Sequence, residues 1–73
     1  MSHGYEYEFE QIRKRYKVPA RGGQRVKYTG RQDGIAETGT IVGADGQYLF
    51  IRIDGDRGEV ANFHPTWELE YLT

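Results

Sequence analysis

The sequence predicts a small, all-β (mainly β) domain in which five short strands form a bent barrel behind a single N-terminal helix. Three observations carry this reading. Residues 37–55 read as two strands joined at Asp45-Gly46. Asp-Gly between apolar runs signals a hairpin, because a tight primed turn needs positive φ at its centre. Residues 47–53 alternate, with Leu49, Ile51 and Ile53 on one face and Tyr48, Phe50 and Arg52 on the other, the period of a half-buried strand. Tyr5, Phe9, Ile12 and Tyr16 recur at i, i+4, i+7 and i+11, an amphipathic helical stripe of about three turns.

At 73 residues the chain supports one domain, which buries roughly 60% of its unfolded surface and leaves little room for a deep catalytic pocket. Residues 1–4 show no structural pattern and are expected to be disordered. Residues 5–17 form the helix, with Glu6, Glu8 and Glu10 early and Arg13, Lys14, Arg15 and Lys17 late, an order that complements the helix dipole. Pro19 disfavours helical geometry at Val18 and ends the helix at or before Lys17. A helix this short is marginal alone in water, so its stripe must dock on the barrel of residues 22–73.

The strands follow in order. Residues 24–29 place Val26 and Tyr28 on one face and Arg25 and Lys27 on the other. A polar loop leads to the hairpin strands, residues 38–43 and 47–53, and residues 54–58 form a second, glycine-bearing turn. Residues 59–63 are a short fourth strand. Pro65 cannot donate to a ladder, so residues 64–67 are expected to form one turn of 3-10 helix. Residues 69–72 are the fifth strand. Trp67 is expected to close one open end of the barrel, with Leu69 and Tyr71 completing the core.

His64-Pro-Thr-Trp-Glu-Leu-Glu-Tyr-Leu72 resembles the 3-10 turn and last strand of the SH3-like barrel superfamily. The run Gly23-Gln-Arg-Val-Lys-Tyr-Thr-Gly30, with Gly34 and then Gly39-Thr-Ile-Val42, is loosely similar to a KOW motif of ribosome- and RNA-polymerase-associated proteins. The loop is longer than in that motif and carries Asp33 and Glu37 where lysines are usual. The acidic and aromatic peptide-binding motif of eukaryotic SH3 domains is absent. Tyr16-Lys-Val-Pro-Ala20 with Thr66-Trp67 also resembles small uncharacterised bacteriophage and prophage proteins. The resemblance implies a cytoplasmic protein of a bacterial or phage-infected cell.

Several chemistries lack their residues. There is no cysteine, hence no disulfide or thiolate site, and His3 and His64 stand without metal-ligand spacing. No nucleophile elbow or phosphate loop is present. Asp54 and Asp56 could pair, but on a solvated turn rather than in a water-excluding cleft. The expectation is a binding or adaptor module, not an enzyme, without metal or cofactor.

Charge points to a partner. The net charge is -1, yet residues 11–31 carry Arg13, Lys14, Arg15, Lys17, Arg21, Arg25, Lys27 and Arg31 and no acid. This surface is the leading candidate for contacting nucleic acid or a nucleic-acid-bound complex. The alternative for these cations is an ordinary solvated face, or pairing with the chain's own acidic loops. Tyr48, Phe50 and Trp67 form a candidate aromatic platform for stacking. The helix's need for a dock favours the other reading, in which Tyr48 and Phe50 receive the helix stripe. The other functional class is a protein-interaction module, binding a host protein or itself through a sheet edge and Trp67.

Overall fold

The computed structural model of the protein describes residues 5–55 and 59–72. The expectation for residues 1–4, and Asp56 to Gly58 of the second turn, lie outside them. One helix, α1 (Glu6–Tyr16), precedes five strands: β1 (Arg25–Tyr28), β2 (Glu37–Asp45), β3 (Tyr48–Ile53), β4 (Val60–Phe63) and β5 (Leu69–Tyr71). All pairings are antiparallel, in the order β4-β3-β2-β1-β5. Among the described residues no β4–β5 pairing closes the sheet.

The sheet nevertheless curls. Tyr28 of β1 and Phe63 of β4 lie three strand spacings apart, about 14 Å in a flat sheet. Their ring centroids are only 4.9 Å apart. The curl encloses one apolar face, where Val26, Ile41, Leu49 and Ile51 are almost wholly buried. The alternation expected for β3 is present: Leu49, Ile51 and Ile53 are buried, while Tyr48 and Arg52 are exposed.

Two features of β2 were not legible in the sequence. The strand continues to Asp45, beyond the expected end at Gly43, and pairs Asp45 with Tyr48. The two-residue turn is therefore Gly46-Gln47 rather than Asp45-Gly46, with Gly46 at φ 62°, the first central position at which a type II′ turn demands positive φ. The register also shifts between Ile41 and Gly43, leaving Val42 as an extra residue. This bulge switches the core-facing series from Ile41 to Ala44 and adds bend and twist. Gly39 serves close approach: a Cβ there would lie 2.6 Å from the Arg52 carbonyl oxygen.

The helix is one residue shorter at each end than the expected span of residues 5–17. Tyr5 is its N-cap, and Lys17 turns left-handed at φ 60° while its N–H donates to the Arg13 carbonyl at 2.9 Å. That closes the last turn before Pro19. Phe9 and Ile12 enter the core cluster, and Tyr16 packs on its margin. Tyr5, the first residue of the stripe, remains 43% exposed. Its ring meets Phe50 edge-on at 6.1 Å over Gly43, where a Cβ would approach both rings at 3.0 Å. Phe50 thus receives the helix stripe, while Tyr48 does not pair with Tyr5 or Phe9.

Helix docking can be tested by truncation of the buried stripe. Ile12→Val should lower unfolding free energy by about 0.5–1.5 kcal/mol and Phe9→Ala by about 3–5 kcal/mol, read by urea denaturation. Unchanged midpoints would place the helix off the core.

Candidate functional site

The segment after β4 builds the most distinctive surface. In place of the expected 3-10 turn, residues 65–68 form a series of bends. The bends end at Glu68, whose φ of 54° is left-handed and reverses the local chain direction before β5. The Thr29 backbone N–H and hydroxyl both donate to the Glu68 carbonyl, at 2.8 and 3.1 Å. The Tyr71 hydroxyl donates to the Pro65 carbonyl at 2.7 Å. These bonds tie the bends to the end of β1 and to β5, and burial pushes the Tyr71 phenol up to about 12.

Held this way, Trp67 does not take the core-closing place that its size and the turn suggest. It is 66% exposed. Pro65 is the buried residue of the segment, so the small ring takes the interior place and the indole is turned outward. Trp67 stacks on His64, with centroids 4.2 Å apart and planes 14° from parallel. The Thr66 N–H donates to His64 Nδ1 at 3.1 Å, fixing that imidazole from behind. Tyr48, 46% exposed, meets His64 edge-on at 6.1 Å, and Tyr16 of the helix meets it at 5.0 Å. Of the three candidate platform residues, Tyr48 and Trp67 therefore converge on His64, a residue of the turn whose ring packs and accepts a hydrogen bond. Phe50 stands apart, under Tyr5. Beside Trp67 lies a cleft of about 290 Å³, lined by Tyr28, Tyr48, Asn62, Phe63, His64 and Glu68 as well as the indole.

The eight candidate cations are not one open patch. Arg13 pairs with Glu6 at 2.9 Å and donates to the Ala20 carbonyl at 2.8 Å. Lys14 lies 3.4 Å from Glu10. Arg25 engages the Asp54 carboxylate with both terminal nitrogens, one at 3.0 Å, and also reaches Thr40 Oγ1 at 2.7 Å. Arg31 holds Asp33 at 2.5 Å and Glu37 at 2.9 Å. Four of the eight thus face the chain's own acids. Arg15, Lys17, Arg21 and Lys27 have no ion-pair partner among the described residues. Arg15 lies 5.8 Å from the centroid of the Tyr16 ring.

The carboxylates of these pairs respond as expected. Hydrogen bonds from Arg25, and then from the Thr38 hydroxyl at 2.9 Å, hold the Asp54 carboxyl down at about 2. Those from Arg31, then the Ile35 N–H, lower Asp33. An Asp54 so engaged is an anion with its acceptor sites occupied, unsuited to exchanging protons near neutral pH; its candidate partner Asp56 lies outside the described residues. Among the described residues no three His, Asp or Glu side chains gather as a metal site, and no helix is long and apolar enough to cross a membrane. The chain matches no protein-family model, no curated protein and no solved structure.

Two measurements check this geometry. The folded Asp54 carboxyl lies below its unfolded value of about 3.9, so its contribution is complete above that value and is lost as pH falls through about 2. Asp54→Asn should flatten the acid-side decline in stability between about pH 4 and 2, measured by thermal melts. Trp67 is the single tryptophan, and its emission should be red-shifted and readily quenched by iodide in the folded protein. A blue-shifted, protected emission would return the indole to the core.

Proposed function

We propose that this chain is a non-enzymatic binding module, built as a small SH3-like barrel, that takes a segment of a protein partner on the surface formed by Tyr48, His64 and Trp67. The barrel reading is supported by the curled sheet, the bulge at Val42 and the β4-β3-β2-β1-β5 order. The observation that carries the function is Trp67, exposed yet held flat against His64 by a segment bonded to β1 and β5. A large aromatic kept rigid at the surface loses little entropy on contact, which is why tryptophan and tyrosine anchor interfaces. A random-peptide array probed with the wild type and Trp67→Ala tests this. The wild type should retain a subset of peptides that the variant loses, while both unfold at similar temperature. Identical retention would overturn the proposal.

A nucleic-acid reading has its own specific support in Arg15, Lys17, Arg21 and Lys27, which are outside the ion pairs. Four phosphate contacts on duplex DNA would give a log–log salt slope of about -3.6. Anisotropy with labelled single- and double-stranded oligonucleotides measures it. Absence of binding at low salt would remove this reading and leave the protein-contact reading alone.

A further inference from the structure

The cleft beside Trp67 has a sign as well as a shape. Its walls are aromatic: Trp67 stacked on His64, Tyr48 at the near side, and the Tyr28–Phe63 pair at 4.9 Å. Ring faces carry negative potential and attract cations. No lysine or arginine is among its lining residues. The one formally charged side chain there is Glu68, and no hydrogen bond or ion pair from a described residue reaches its carboxylate.

Glu68 is held in an uncommon conformation. A left-handed backbone is costly for a residue other than glycine and persists only where surrounding bonds enforce it. Here the two donations from Thr29 to the Glu68 carbonyl do so. The carboxylate rests beside Gly30, where an added Cβ would overlap both it and the Tyr28 hydroxyl. Gly30 therefore makes room for an acid at the rim of an aromatic cleft.

This combination disfavours phosphate and favours a cation with a flat face. A guanidinium is planar and weakly hydrated. It can stack on an indole or phenol and donate two parallel N–H bonds to a carboxylate at once. An ammonium offers only a point charge and keeps its water more firmly. The cleft volume of about 290 Å³ is at the lower edge of the ~300–1,000 Å³ typical of small-molecule sites, and suits one inserted side chain. We infer that the cleft between Tyr48, Trp67 and Glu68 receives an arginine side chain of the partner protein, an inference that rests on the protein-contact reading above.

The test is a ¹⁵N-detected titration of the full chain with N-acetylargininamide, with the citrulline analogue as its planar but uncharged counterpart. The octanucleotide dT8 and N-acetylphenylalaninamide serve as further probes. The arginine probe should shift the Trp67 indole and the Tyr48, Asn62 and Glu68 amides saturably. Citrulline should bind at least tenfold more weakly, and Glu68→Gln should weaken arginine by about tenfold or more, the scale of a lost charge-assisted pair. Equal responses to arginine and citrulline, or an unaltered Glu68→Gln, would overturn the inference. If arginine moves nothing while the phenylalanine probe shifts the same resonances, the arginine assignment fails and the contact surface stands. Shifts with dT8 alone would overturn the arginine assignment and favour the nucleic-acid reading. If no probe moves these resonances, the arginine assignment and the contact surface both fall.

Discussion

The contact between Tyr28 and Phe63 exists because the sheet curls over its own apolar face, and burying that face is the condition on which the rest of the molecule depends. Five strands of three to nine residues cannot shield Ile41, Leu49 and Ile51 while flat. A chain of this size has few other sources of stability. The curl needs local devices in β2, and they are present as Gly39 under the Arg52 carbonyl and the extra residue Val42. The helix then completes the enclosure by adding Phe9 and Ile12 to the same cluster. Its own short length would not keep it folded in water, so helix and sheet each supply what the other lacks.

Periodic signals in the sequence translated well into structure because they arise from repeated burial. The alternation of Leu49, Ile51 and Ile53 and the stripe containing Phe9 and Ile12 are of this kind, and each found the core. Single-residue events left no such trace. A bulge at Val42 changes which residues of β2 face inward without altering composition. The hairpin turn was legible as a turn but not to the residue, since glycine at the first or the second central position satisfies different primed turns. Trp67 misled for another reason. Hydrophobic size argues for burial, but Pro65 occupies the interior and the left-handed Glu68 redirects the chain. That the His64 ring packs is the ordinary fate of a turn histidine, but its meeting Tyr16, Tyr48 and Trp67 depends on long-range folding that its position before a proline does not signal.

Charge behaved similarly. The run from Arg13 to Arg31 is conspicuous in one dimension, but in three dimensions Glu6, Glu10, Asp33, Glu37 and Asp54 come back to meet it. Four of these pairs close over two to seven residues, whereas Asp54 reaches Arg25 from 29 residues away, a neutralisation that linear charge density does not show. These exposed pairs add little stability individually. Their larger effect is on the surface field, because they divide the basic third into neutralised and open cations. The aromatic surface owes nothing to that field and carries its own acid, Glu68.

Two of the rings that meet the imidazole of His64 have different allegiances. Tyr16 belongs to the last turn of the helix and also donates to Gln47 at 2.5 Å in the hairpin turn. Trp67 belongs to the bends before β5. A side chain that presses on the indole therefore presses, through one ring, on the element that seals the core. Anything bound there that prefers the docked arrangement must tighten the helix by the same free energy with which docking favours its binding, as linkage requires. The first segment of the chain would then act as a gauge of occupancy at the last, its amide exchange slowing as the surface fills.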